Sequence, residues 1–297
     1  MDQSICFLLS GRAHLPYVVV ALSTLRRVYS GHVTVYAYPE SHATASVLCG
    51  DGRIDAECRL FGPTYEGKNH QFLNKLDVMQ RQTDSKVALY LDADIIVNKP
   101  LSYLFEMAEK QEFVATQFCD WVSNTGTVKN RIERLSGREG IDQDSVRRVL
   151  SSKFPSLNGG VFACRSDSIA LDTWRRWANL VKDIFICDEV VLHVVMGWYD
   201  ISPPPFQRPK EFTVAEGGKW NCSPKYQPSY LKDEDVAIWH FHGDCNTRPQ
   251  KSRKGYQLWW PEYKRCLEEN VGGIQEWIST VGNRFLTECE QNENLVK

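Results

Sequence analysis

The run Leu89-Tyr90-Leu91-Asp92-Ala93-Asp94-Ile95-Ile96-Val97 constrains this chain more than any other. Residues 87–91 make an apolar stretch of strand length, the two acids follow at once, and a second apolar stretch ends at Lys99-Pro100. The carboxylates therefore fall at the carboxyl end of a buried strand, where ligands gather in open α/β sheets. The small Ala93 between them lets a ligand come close to the backbone. Two acids this near repel each other unless a cation lies between them. Carboxylate oxygens are hard ligands suited to Mg²⁺ or Mn²⁺, ions that share their coordination sphere with substrate phosphates. An isolated Asp-x-Asp is common in solvated loops; the apolar frame on both sides turns this one toward a metal-bound diphosphate.

The 297 residues can bury one large α/β core or two small ones. A formal net charge of -2, with no basic run interleaved with aromatics, gives no electrostatic case for nucleic acid. The ten cysteines are scattered, form no Cys-x-x-Cys pair and include apolar contexts such as Ile5-Cys6-Phe7. They read as reduced, mostly buried thiols. With no secretory leader and no apolar stretch long enough to cross a bilayer, the expected setting is soluble and cytoplasmic. In that setting the match of Asn221-Cys222-Ser223 to a glycosylation acceptor carries no weight.

Hydrophobic periodicity predicts a strand over 5–9, a turn at Ser10-Gly11-Arg12, a helix over 17–28 and a strand over 34–38. That order implies a parallel pair joined by a right-handed crossover. The turn lacks Gly-x-Gly-x-x-Gly, and no Gly-x-x-x-x-Gly-Lys-Ser/Thr loop occurs, which sets aside nicotinamide and P-loop chemistry. A variable stretch leads to a helix over 72–80 carrying Lys75, then the acid-bearing strand, a helix over 101–109 and a strand over 113–118. Residues 119–155 turn polar and irregular, with a loop at 123–126 and a short helix over 142–150, and suit an acceptor-side insertion. A strand over 156–163 begins at a turn, Asn158-Gly159-Gly160, and a helix over 169–181 turns Leu171, Trp174 and Leu180 to the core. Asp188-Glu189 opens a further helix, with Asp188 as a candidate cap. A strand from 236 runs into a turn at His242-Gly243, and helices over 259–267 and 274–286 follow. The apolar stripe Ile274, Trp277, Ile278, Val281 and Phe285 is a docking face against the body of the protein, with a weak membrane or partner contact as the alternative. The expected organisation is a mixed central sheet flanked by helices over 1–250 and a helical carboxyl-terminal extension over 251–297.

Four separated segments resemble the GT-A glycosyltransferases, most closely the retaining family 8 group that includes glycogenin and bacterial galactosyl- and glucosyltransferases. They are the opening strand and helix; Asn74-Lys75-Leu76 with Leu89-Tyr90-Leu91-Asp92-Ala93-Asp94; Leu157-Asn158-Gly159-Gly160-Val161; and Asp188-Glu189 followed by His240-Phe241-His242-Gly243. Each is weak alone, while their order and spacing together are specific. Two departures stand out. Arg248-Pro249 arrives two residues later than the family's Lys-Pro, and Glu189 stands where the family carries Gln.

The resemblance implies a GT-A fold and metal-dependent transfer of a hexose from UDP-glucose or UDP-galactose to a hydroxyl acceptor, with retention. Asp92 and Asp94 would hold Mn²⁺ or Mg²⁺. Strand alternation puts His240 and His242 on one face, so spacing leaves the third ligand open; the resemblance favours His240. Ser10, Gly11 and Arg12 would receive uridine and ribose. Lys75 and Arg248 would balance phosphate or sugar-proximal charge, Ala93 and Gly243 would lie along the diphosphate, and Asn158, Gly159, Gly160, Asp188 and Glu189 around the sugar. An inverting enzyme using Asp188 or Glu189 as base, or a nucleotide-sugar-binding scaffold without turnover, are the alternatives. A haloacid-type phosphatase would need its Asp-x-Asp on the first strand and a later Gly-Asp-x-x-x-Asp, and a sugar-nucleotide pyrophosphorylase a Gly-rich, Arg-containing loop near the start. The chain has neither.

Overall fold

The computed structural model describes residues 2–66, 70–82, 84–122, 126–151, 154–201, 212–215, 218–241, 247–281, 287 and 289–293. In chain order its elements are β1 (Gln3–Leu9), α1 (Leu15–Leu25), β2 (His32–Ala37), α2 (Pro39–Cys49), β3 (Glu57–Leu60), α3 (His70–Gln80), β4 (Val87–Leu91) and β5 (Ile95–Val97). Then come α4 (Ser102–Gln111), β6 (Phe113–Trp121), α5 (Gly126–Glu133), α6 (Gln143–Ser151), β7 (Pro155–Arg165), α7 (Ile169–Leu180) and α8 (Cys187–Ile201). The last are β8 (Phe212–Ala215), β9 (Ile238–His240), α9 (Arg253–Glu268) and α10 (Ile274–Val281). Contacts divide the chain into two compact units: unit one holds Met1–Ser4, Pro63–Tyr90 and Ser102–Asn221, and unit two holds Ile5–Gly62, Leu91–Leu101 and Cys222–Lys297.

Unit two is built on strands in the order β3-β2-β1, with β2 and β3 parallel and Thr34 opposite Glu57. β1 is buried along nearly its whole length, as a strand covered on both faces requires. Pro16 sits in the first turn of α1, where its missing N–H leaves no hydrogen bond unmade. α1 buries Val18, Leu22 and Leu25 and packs on β5, where the Val97 N–H donates to Thr24 Oγ1 at 3.2 Å. α9 packs on α1 through Tyr17 and Trp259, and Arg265 donates to Ser23 Oγ at 2.7 Å. In α10, Ile274, Trp277 and Ile278 are buried, and the Trp277 indole N–H donates to the Gly272 carbonyl at 2.9 Å. These apolar side chains point inward, which does not support a membrane or partner contact through them. Phe285 lies outside the described residues.

Unit one is built on strands in the order β4-β7-β6-β8, with β6 antiparallel to β7 and parallel to β8. Its core includes Tyr90, Phe113, Phe162 and Trp174, with ring centroids 5.2 Å apart for Tyr90–Phe162 and 4.9 Å for Phe162–Trp174. Ser168 caps α7, its hydroxyl accepting the Leu171 N–H at 3.1 Å. Leu171 and Trp174 face the core as expected, but Leu180 is 51 % exposed. At about 100° per residue it stands some 240° round the helix from Trp174, on the outer face. Residues 119–155 are more regular than expected: β6 runs on to Trp121, and α5 and α6 form where one short helix was foreseen. The stretch between β2 and α3 likewise holds α2 and β3. Among the described residues eight cysteines are free thiols, seven of them buried. No helix among those residues is long and apolar enough to cross a membrane.

Candidate functional site

Two clusters gather residues that the sequence singles out, and the first belongs to unit two. β5 and β9 pair antiparallel with Ile95 opposite His240, and the Phe241 N–H donates to the Asp94 carbonyl at 2.8 Å. This register brings His240 to the place where the chain passes through Asp92-Ala93-Asp94. Its Nε2 lies 3.3 Å from Asp94 Oδ1 and 3.5 Å from Asp92 Oδ2, and one ligand atom from each residue falls within 4.8 Å of the others. Ligands in adjacent positions around an ion with bonds of about 2.1 Å stand roughly 3 Å apart, so small adjustments would let the triad hold a divalent cation. Two carboxylates and an imidazole suit Mn²⁺. His240 is only 2 % exposed, while each aspartate side chain keeps 28 %, leaving the acids open to further ligands. His242 and Gly243 lie outside the described residues.

The turn after β1 belongs to the same unit. Gly11 has φ 154° and ψ 164°, a conformation closed to residues with a Cβ. Ser10 Oγ lies 3.4 Å from His14 Nδ1, and the exposed Arg12 donates through Nε to the Glu40 carbonyl at 2.5 Å. His14 was missed in the sequence. Although it keeps an exposed edge, the surrounding protein draws its imidazole below its ordinary pKa, against the pull of Asp94 and then Asp92. A histidine in the loop after the first strand was the signal available. Arg248 stands in the turn before α9, where its carbonyl accepts the Lys251 N–H at 2.9 Å.

The second cluster belongs to unit one. Thr116 faces Asn158 while the preceding Ala115 faces Phe162, so Gly159, Gly160 and Val161 bulge out of the β6–β7 ladder. The expected turn at Asn158-Gly159-Gly160 is thus a bulge inside a continuous strand. Side chains satisfy the backbone groups it releases: the Gly160 N–H donates to Asn158 Oδ1 at 2.7 Å, and Thr116 Oγ1 donates to the Val161 carbonyl at 2.6 Å. Asn221, fully buried, donates to Thr116 Oγ1 at 2.9 Å, so the residue matching a glycosylation acceptor is an internal brace.

Lys75 of α3 forms a buried ion pair with Asp188 Oδ2. Asp188 is the second residue of α8 and not its cap. A Cβ on Gly159 would stand 2.9 Å from Lys75 Nζ and 3.0 Å from Asp188 Oδ2, so the glycine makes room for that pair. Asp188 Oδ1 is buried with no hydrogen-bond partner among the described residues. Asn158 Nδ2 donates to Glu189 Oε2 at 2.9 Å. Burial, and then the neighbouring Asp188, push the Glu189 carboxyl up to about 7, with the Asn158 hydrogen bond pulling the other way. Trp174, foreseen only as core, also donates through its indole N–H to the Asp188 carbonyl at 2.7 Å.

No protein-family model and no curated protein matches this chain. Solved structures do. The galactosyltransferase LgtC, solved in complex with donor and acceptor sugar analogues, matches at 16 % identity over 93 % of this chain and 99 % of its own, with TM-score 0.55. Mouse xyloside xylosyltransferase 1 matches at 12 % identity over 83 % of this chain and 99 % of its own, with TM-score 0.53. The bifunctional glycosyltransferase WbbM matches at 10 % identity and TM-score 0.54 over 82 % of this chain. There the chain spans 46 % of WbbM's length. The fold is the GT-A glycosyltransferase fold that the resemblance implied.

Proposed function

We propose that this chain is a metal-dependent glycosyltransferase of the family 8 kind, moving a hexose from UDP-glucose or UDP-galactose to a hydroxyl acceptor with retention. The observation that carries the proposal is the triad of Asp92, Asp94 and His240, with ligand atoms within 4.8 Å of one another in a glycosyltransferase fold. A divalent cation held by those residues would offset the negative charge that grows on the departing diphosphate. Gly11 lets the backbone after β1 come close to uridine and ribose, with Ser10 and Arg12 beside it. In unit one, the unsatisfied Asp188 Oδ1 is an acceptor for a sugar hydroxyl, since a buried acceptor left unmade costs about 1–3 kcal/mol. Lys75 pairs with Asp188 Oδ2 and leaves Oδ1 for that contact.

In the front-face route the bond from the anomeric carbon to the phosphate oxygen breaks, and the bond to the acceptor oxygen forms on the same face. The acceptor proton passes to the leaving phosphate, so no separate protein base is needed. A second course makes Glu189 the base or nucleophile, and its carboxyl near 7 favours it, because a proton acceptor works best with a pKa near the working pH. The free, buried thiols support a reducing, cytoplasmic setting.

The test is to incubate the protein with Mn²⁺ and a panel of UDP-, GDP- and dTDP-sugars. Metal-dependent release of hexose from a UDP-sugar, with the α-anomer as first product, is expected. Release of inorganic phosphate, or UDP binding with no turnover in the presence of carbohydrate acceptors, would contradict the proposal.

A further inference from the structure

His193 lies fully buried on α8, outside every role assigned so far, yet its ring joins the two segments that carry the unit-one cluster. The Leu157 N–H donates to its Nε2 at 2.9 Å, and its Nδ1–H donates to the Glu189 carbonyl at 2.7 Å. Leu157 is next to Asn158, whose side chain in turn donates to Glu189 Oε2 at 2.9 Å. The contacts close a loop through Leu157, His193, Glu189 and Asn158. Only a neutral imidazole with its proton on Nδ1 can close it, because a protonated ring would set an N–H against the Leu157 N–H. Burial pushes the His193 pKa down to about 4, which keeps the ring in that form at neutral pH. Packing alone does not call for a polar ring here: Val190, Leu192 and Val194 around it on α8 are buried and apolar.

We propose that His193 is a positioning residue that fixes the Asn158 side chain against the Glu189 carboxyl, and so orients the donor sugar without touching it. This rests on the sugar-transfer proposal above. Its test compares the wild type with His193→Phe, His193→Gln and His193→Asn in three measurements: thermal unfolding, Mn²⁺-dependent UDP binding, and kcat and KM for UDP-glucose or UDP-galactose hydrolysis. The Gln amide reaches the Nε2 position and can accept from Leu157, whereas the Asn amide reaches only the Nδ1 position.

His193→Phe is expected to bind UDP within about twofold of the wild type and to lose about 10–100-fold in kcat/KM, the penalty of misplaced reacting groups. His193→Gln should recover most of that loss and His193→Asn less. Wild-type turnover in His193→Phe overturns the proposal, and so does a parallel fall in UDP affinity and turnover, which marks general loosening. If His193→Phe does not fold, the Gln and Asn variants decide: equal turnover in the two overturns it. If the wild type turns over no nucleotide sugar, sugar transfer fails as the function. The clamp is then decided by a crystal structure of His193→Asn, where an Asn158–Glu189 bond unchanged from 2.9 Å overturns it.

Discussion

The triad in unit two and the cluster in unit one are both built around two carboxylates, and the protein treats Asp188 unlike the two aspartates of the triad. Asp92 and Asp94 keep 28 % of their side-chain surface exposed and lie beside a buried imidazole. Asp188 is 2 % exposed, matched by a buried lysine, and Glu189 is drawn toward its protonated form. Acids left open to solvent can exchange water for an incoming ion. Asp188, sealed against Lys75, cannot, and it serves to hold a shape and offer one directed acceptor. The contrast teaches that mutation should separate function from stability in the first region and join them in the second.

The largest effect is expected where the contrast is sharpest. Asp92→Ala should reduce donor turnover by about a thousandfold or more, since it removes part of the charge-stabilising site. Its melting temperature should stay near that of the wild type, because a partly exposed carboxylate adds little to the fold. A large drop in melting temperature would erase the distinction between the regions. Next, Lys75→Met strands the buried Asp188 carboxylate and should destabilise the protein by about 3–5 kcal/mol in denaturant unfolding. Adding Asp188→Leu should restore much of that stability but not the activity. Full stability in Lys75→Met alone would show that the pair is not the keystone its burial suggests.

A smaller effect concerns Glu189. Its folded pKa, about 7, lies above the ordinary carboxyl value of 4.5, so the folded state prefers the protonated form. Stability from this group is complete below about 4.5 and falls as the pH rises through 7. The loss is on the order of 1–3 kcal/mol. Glu189→Gln should therefore unfold at a higher temperature than the wild type at pH 8 and show little difference at pH 4.5. The reverse order at pH 8 would mean that the carboxylate is well stabilised where it stands, as an exposed acid would be.

The same contrast explains what the sequence disclosed. Asp92 and Asp94 are legible because everything that marks them is local: an apolar strand before, an apolar strand after, a small residue between. His240 is legible as a candidate, but its place beside Asp92 and Asp94 is not, since the pairing of Ile95 with His240 joins distant segments and no periodicity encodes it. The Lys75–Asp188 pair and the His193 bridge have the same character. Their residue types are visible, but their partners are chosen by tertiary packing. The Gly159-Gly160 pair could be seen as a break, yet not as a bulge, because the opposing Thr116 and its hydroxyl supply the missing backbone partner. α2 escaped notice because its buried positions, Ser41, Ala45, Leu48 and Cys49, keep helical spacing but begin with small or polar residues, while the apolar Val47 is exposed. Leu180 is the converse case: its apolar side chain predicts a core position, but its angle round the helix axis turns it to the surface.

The central claim is that Asp92, Asp94 and His240 together hold a divalent cation for a nucleoside diphosphate. The most direct measurement is a crystal grown with Mn²⁺ and UDP, with anomalous scattering recorded near the manganese edge. One strong anomalous peak is expected about 2.1–2.3 Å from a carboxylate oxygen of each aspartate and from the His240 imidazole, with diphosphate oxygens completing its shell. A peak elsewhere, or UDP bound with no manganese at the triad, would contradict the claim.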